Sequence, residues 1–372
     1  MSDFSKTILL LFSQPWQVGG AETHLETLVG EYVNQQVPVI LVGIDSTIVA
    51  RFPEIPVYSL PLRSANLAVQ WGNYRKLKQL VTLLNVVIVH SHTRTGNIFG
   101  WLLQKSLGIS YTATLHDKWR SLHRLYTPFL PNRCIAVSEG IKNHFVLHMG
   151  IEAERIEIIE NGVSIERNKG SVQLNCRSQY PFLADGKNEQ IIFHASRFSR
   201  HKRNVALRLC EVMTQLNADF PNSKLVLAGQ GDLSSEVLSA AQEANKRCGR
   251  QVVFFLGPRH DVIQLLTLST IAIGVGRFAL EAMAAGKPVI ALINEGDFPG
   301  IINEHTWRKA SKTSWTIGDK PNTDENLRRE IEILLQNQML RDSLGGFGQE
   351  LIKTHFSAAR MADQVFQLYK SL

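Results

Sequence analysis

At 372 residues the chain is too long for one ordinary hydrophobic core, and 44% hydrophobic with 20% charged residues is the balance of a soluble globular protein of two domains. The net charge is +7, and residues 61–150 alone carry eleven Lys or Arg against Asp117 and Glu139, a local balance of +9. That stretch is a basic face that attracts phosphates, anionic lipid headgroups or nucleic acid, and charge by itself does not choose among them.

In chain order, TILLLFS (7–13) is a first strand: one lysine precedes its short apolar run and no small-residue cleavage pattern follows, so no secretory signal is expected. AETHLETLVGEYVNQQ follows with Leu25, Leu28, Val29, Tyr32 and Val33 on one helical face, and PVILVGI completes a βαβ start. VVIVHS (86–91), SYTATLH (110–116), CIAVS (134–138) and RIEIIEN (155–161) continue as short apolar or β-rich strands separated by helix-length segments, the pattern of a doubly wound domain. Between them, DKWRSLHRLYTPFLPNR (117–133) mixes aromatic, leucine and basic residues and predicts an amphipathic basic helix.

Residues 164–188 lose periodicity and gather Gly, Pro, Asn, Asp and Ser, the composition of a connection. A second series then runs QIIFHAS (190–196), KLVLAGQG (224–231), QVVFFLG (251–257), IAIGVG (271–276) and KPVIALI (287–293), with helices between, and predicts another parallel α/β domain. No apolar run approaches the roughly 18 residues of a membrane span. Cys134, Cys176, Cys210 and Cys248 lack CxxC spacing or neighbouring His ligands, against a zinc site or disulfide framework and in favour of a reducing cytoplasm.

In open α/β sheets ligands bind beyond the carboxyl ends of the strands, so the residues just after strands are the candidates. They include Gly19, Gly20 and Glu22, then His90 and His92 in VHSHT, His116 in TLHD, Asn161 and Gly162 in ENGV, and Arg197 and Lys202 in ASRFSRHK. Arg197 and Lys202 stand where a strand ends and a helix begins, placed to meet a diphosphate with a planar fork and a point charge. The His90 and His92 spacing of two does not make a metal site without further ligands. The first βα turn reads VGGAE, without the GxGxxG of a nicotinamide dehydrogenase.

These segments carry a resemblance. GGAETHLETL, TLHD, CIAVSEGIKNHF, IIENGV, ASRFSRHK, LVLAGQGDL, FFLGPRHDVIQLL and LEAMAAGKPVIA, in this order and spacing, resemble the large retaining glycosyltransferase family 4 (glycosyl transferases group 1). The resemblance implies a GT-B fold of two facing Rossmann-like doubly wound α/β domains with an interdomain cleft: an acceptor-side domain over 1–168, a nucleotide-sugar-binding domain over 186–355, and a last helix, 356–372, crossing back onto the first domain. It implies a retaining hexosyltransferase that moves a sugar from a nucleotide-sugar donor, UDP- or GDP-linked, to a sugar, lipid-linked or glycan acceptor in envelope polysaccharide, lipopolysaccharide or glycolipid synthesis. Neither a cofactor nor a metal is implied, and nucleic acid is not an expected partner. The expected location is the cytoplasm, with an anionic membrane surface at the inner face as a partner of the basic first domain.

The resemblance also assigns residues. Glu281 would bind the ribose hydroxyls, and the amides of Gly276, Arg277 and Phe278 would lie against the diphosphate, with Gly19 and Gly20 as further donor-binding residues. Arg197 and Lys202 would neutralise the leaving diphosphate, and His116 would stand beside the donor sugar. The family's second glutamate, eight positions before Glu281, is replaced by Ile273. This leaves open a sugar held differently, by Arg277, Glu295 or Asp297, or a catalytically inactive sugar-nucleotide-binding module. A sugar-nucleotide epimerase of the same architecture is the other alternative.

Overall fold

The computed structural model describes residues 6–15, 19–43, 52–164, 180, 189–199, 205–293 and 295–372. The chain forms two units, Met1–Gly162 together with Ala358–Leu372, and Val163–Ser357.

In the first unit the described strands are β1 (Thr7–Leu11), β2 (Val39–Gly43), β3 (Val57–Ser59), β4 (Val86–Ser91), β5 (Ser110–Leu115), β6 (Cys134–Ala136) and β7 (Ile156–Ile158). They pair in parallel in the order β3-β2-β1-β4-β5-β6-β7. The continuous apolar runs follow from burial of both sheet faces. Ile8 and Leu10 of β1 pack with Met361, Val365 and Tyr369, whereas Leu9 and Leu11 pack with Leu77, Phe99 and Leu103. Helix Gly20–Asn34 lays Leu25, Leu28, Val29 and Tyr32 on the first of these faces, beside the final helix Ala358–Lys370. That last helix is tied to the unit by Tyr369, whose hydroxyl is 2.9 Å from that of Tyr32 and 2.6 Å from Nδ1 of His90.

The second unit contains β8 (Gln190–Ala195), β9 (Ser223–Ala228), β10 (Val253–Gly257), β11 (Ile271–Ile273), β12 (Val289–Ala291) and β13 (Gly300–Ile301), in the order β10-β9-β8-β11-β12-β13. Its sheet is not wholly parallel, because β13 runs antiparallel to β12 as a two-residue edge strand. Alternation again sends neighbouring residues into different cores, Ile191 and Phe193 to one face and Ile192 to the other.

One local expectation changes. Residues 117–133 do not make an α-helix: Ser121–Phe129 is a 3₁₀ segment with Pro128 inside it, and proline cannot donate to an α-helical ladder. Trp119 beside it is buried, while Leu122 and Leu125 are exposed. The short strands β3 and β13 carry too few residues to show an alternating pattern. The expected connection over 164–188 lies, except for Ser164 and Tyr180, outside the described residues, as does Cys176. Cys134, Cys210 and Cys248 are free thiols. No described helix is long and apolar enough to cross a membrane.

Candidate functional site

Strand order picks out one crevice in each unit. In the first sheet, connections run to opposite sides of β1 and β4; in the second, of β8 and β11. These are the switch points at which open α/β sheets bind ligands, beyond the strands' carboxyl ends.

At the first crevice, the chain leaving β4 is bonded to the chain leaving β1. The amide of His92 donates to Leu11 O (3.0 Å), and Thr93 Oγ1 meets both the amide (3.0 Å) and the hydroxyl (2.6 Å) of Ser13. Around this junction sit four histidines. His24 comes from helix Gly20–Asn34, His90 and His92 from the end of β4, and His116 from just after β5. His92 Nδ1 lies 3.2 Å from His116 Nε2, and the His24 and His116 rings are 4.8 Å apart in an edge-on arrangement. Burial, reinforced by the neighbouring imidazoles, holds His92 and His116 well below the ordinary histidine range, so both are neutral at physiological pH. Sequence reasoning places His90 at the ligand-facing edge, but it is a core residue: Nδ1 faces the Tyr369 hydroxyl, Nε2 faces Thr114 Oγ1 at 2.7 Å, and no surface is exposed. Gly19 caps helix Gly20–Asn34, and the space where its side chain would stand is bordered by the carboxylate of Glu22.

At the second crevice, Arg197 follows β8 and is exposed. Its loop is built by backbone packing against GQG. The amide of Phe198 donates to Gln230 O at 3.1 Å, and a Cβ on Gly229 or Gly231 would collide with the carbonyls of Ser196 or Phe198. The glycines after β9 are thus what let the Arg197 loop lie flat on its neighbour. Lys202, with Arg200 and Arg203, lies outside the described residues.

After β11 the chain makes only a three-residue loop before helix Arg277–Ala284 begins. Gly276 turns it with φ 61° and ψ −137°, a conformation open to glycine and costly to other residues. Its amide donates to Ser314 O at 2.9 Å, so the expected contact of that amide with a diphosphate is withdrawn. The first-turn amides of Arg277 and Phe278 follow without a side-chain cap, at the positive end of the helix. Glu281 lies one turn further on and accepts a 2.9 Å bond from Nε of Arg277, both side chains being mostly buried at 14% and 10% exposure. The i,i+4 spacing of Arg277 and Glu281 at a helix start is the sequence signal of this pair.

Ile273 has a different meaning from a substituted loop residue. It is the last residue of β11, fully buried and paired with Ile290. Counting eight back from Glu281 lands inside the sheet because the loop is short, leaving no loop position there for a second carboxylate.

His194 closes the floor of this crevice. Its Nδ1–H donates to Ile273 O and its Nε2 accepts from Ser196 Oγ, both at 2.8 Å, joining β8 to β11. Burial lowers its pKa to about 4, with the bond to Ile273 opposing the shift. An unfolded histidine takes up its proton near 6.5. The stability contribution is therefore complete above about pH 6.5 and falls as pH drops toward about 4, by up to about 1.4 kcal/mol per pH unit. His194→Gln is expected to flatten the dependence of Tm on pH between about 7 and 5 by this one-proton slope. Parallel profiles for the two proteins would exclude His194 as a source of acid sensitivity.

Residues 18–167 match the profile of Glycosyltransferase Family 4 and residues 181–351 that of Glycosyl transferases group 1. The chain belongs to this family of glycosyltransferases and has the GT-B architecture. Among its relatives is EpsD of Bacillus subtilis, itself assigned to the glycosyltransferases, 26% identical over 85% of this chain and 84% of EpsD. Similar solved structures include HepE of Anabaena in complex with UDP and glucose (TM-score 0.76, 20% identity, 99% of this chain and 100% of that one). A glycosyltransferase from Rickettsia africae is equally similar (TM-score 0.78, 21% identity, 98% of each chain).

Proposed function

We propose that this glycosyltransferase moves a sugar from a nucleotide-sugar donor, UDP- or GDP-linked, to an acceptor hydroxyl with retention, in the synthesis of envelope polysaccharide, lipopolysaccharide or glycolipid. The observation that carries the reading is that Arg197 and the Gly276–Glu281 stretch, over 70 residues apart in sequence, follow the two strands that flank one switch point. In this reading Glu281 accepts from the ribose hydroxyls, and the Arg277 and Phe278 amides meet the diphosphate. Arg197 and Lys202 stabilise the charge that grows on the leaving phosphate as its bond to the sugar breaks. The leaving phosphate then takes the acceptor hydroxyl's proton, and neutral His116 hydrogen-bonds the transferred sugar. The short loop after β11 supports an active enzyme with a different sugar clamp over an inactive binding module, since Ile273 is explained by packing.

The donor is found by thermal shift. HepE was crystallised with UDP and glucose, so UDP-sugars head a panel that also holds GDP- and ADP-sugars. A nucleotide at 100 times its Kd raises stability by about 2.7 kcal/mol, so the correct base stands out as a raised Tm. No shift with any of them would overturn the reading. Sugar conversion without acceptor would instead mark an epimerase.

For the acceptor, the 3₁₀ segment Ser121–Phe129 packs against the turn Phe145–Met149, and together they expose Leu122, Leu125 and Leu147 near Lys118, Arg120 and Arg124. Exposed leucines rimmed by cations suit an anionic bilayer and a lipid-linked acceptor at the inner face of the cell membrane. Each basic residue at the surface adds on the order of 1 kcal/mol, so Arg120→Glu with Arg124→Glu is expected to abolish co-sedimentation with anionic vesicles at low salt. Equal recovery with neutral and anionic vesicles would favour a soluble acceptor.

A further inference from the structure

We infer that His24, His92 and His116 form a binding site for a divalent transition-metal ion of the zinc class. Each histidine comes from a different element, and one nitrogen from each lies within 4.8 Å of the other two. The 3.2 Å between His92 Nδ1 and His116 Nε2 is close to the edge of a tetrahedron with metal–nitrogen bonds of about 2.0–2.1 Å, so an ion can replace the proton these atoms share with little ring movement. The third ring is oriented from behind. His24 Nδ1 lies 2.9 Å from Asn161 Oδ1, and a carboxamide oxygen only accepts, so the proton sits on Nδ1 and the lone pair on Nε2.

With the ion on Nδ1, His92 carries its proton on Nε2, the buried ring atom that has no hydrogen-bond partner among the described residues. His90, the fourth imidazole, has both nitrogens engaged by Tyr369 and Thr114 and is outside the ligand set. Three neutral imidazoles suit zinc, copper, iron or nickel, and three protein ligands leave a fourth position for water or a competing group. An ion bound here occupies the lone pair of His116. Inhibition of sugar transfer by zinc follows if His116 serves the donor sugar, so that consequence rests on the proposed function; the binding itself does not.

The test needs neither donor nor acceptor. The full-length chain, stripped with chelator, is titrated with Co²⁺, whose visible d–d bands intensify when the aquo ion becomes four- or five-coordinate. One equivalent per chain is expected, displaced by Zn²⁺ and lost in His92→Ala and His116→Ala. His116 is only part-buried, so its variant is the safer one for folding, checked by near-UV circular dichroism. Asn161→Ala is expected to weaken binding about 10- to 100-fold. His148→Ala is the control, because His144 and His148 form a separate ring pair, 5.0 Å apart, near the surface. An unchanged aquo spectrum with the wild-type chain, a band that survives His116→Ala, or a band lost with His148 would each overturn the site.

Discussion

Arg197→Ala is expected to lower kcat by on the order of 10²- to 10³-fold while leaving affinity for the bare nucleoside nearly unchanged. The asymmetry follows from what the guanidinium is proposed to do. Negative charge on the diphosphate grows as the sugar departs, so a fixed cation there stabilises the transition state more than the bound donor, and a nucleoside without phosphates does not meet it at all. The loop carrying Arg197 is held by backbone bonds to the segment after β9, so alanine leaves its frame in place. Arg197→Lys restores charge without the planar fork and should recover part of the rate. Steady-state kinetics beside equilibrium nucleoside binding separates the cases. Wild-type turnover in the alanine variant removes Arg197 from the site, and a parallel loss of nucleoside affinity would assign it to ground-state binding.

Glu281→Ala is expected to weaken nucleotide binding by roughly 1.5 to 3 kcal/mol, about 10- to 150-fold in Kd, through loss of charge-assisted bonds to the ribose hydroxyls. The Arg277 ion pair complicates a single substitution, since removing the carboxylate also strips a mostly buried guanidinium of one acceptor. Arg277→Ala and the double variant complete a cycle that separates the two effects. If Arg277 orients Glu281 for ribose, its loss weakens nucleotide binding in the wild-type background and does nothing further once Glu281 is gone. Additive losses would make the two residues independent contacts. Unchanged affinity in a folded Glu281→Ala protein would sink the ribose assignment.

Much of the architecture was legible because burial on both faces of a parallel strand forces an apolar run, and TILLL, VVIVHS and QIIFHA are such runs. Polar residues directly behind them were legible for the complementary reason: the chain leaves the core there, so Arg197 or His116 needs another explanation than packing. His90 shows where that inference overreaches. It follows an apolar run as His92 does, yet β4 extends one residue past it, and a core hydroxyl on each side satisfies its ring. Ile273 is the converse case: spacing along the family pattern makes it a replaced sugar-binding glutamate, whereas it is the buried last residue of β11. The 117–133 segment is not an α-helix although its composition suits one: Pro128, which was there to weigh in the sequence, lies inside the 3₁₀ stretch Ser121–Phe129, and beside it Trp119 is buried.

The alternation of strands and helices, the basic first half and the residue types at the strand ends can be read along the chain. Those properties are local: they depend on which neighbours along the chain share a face and on where apolar runs stop. Which strand ends meet depends on the folded sheet. His24 and Asn161 are 137 positions apart, and His92 and His116 are 24 apart. Nothing in the stretches between them specifies their contact, because it depends on β1, β4 and β5 becoming hydrogen-bonded neighbours. The same holds for His194 and Ile273, joined because β8 and β11 lie side by side. Strand order is settled by the packing of whole βαβ units against one another, whose free energy is spread over many side chains, so no single short pattern carries it.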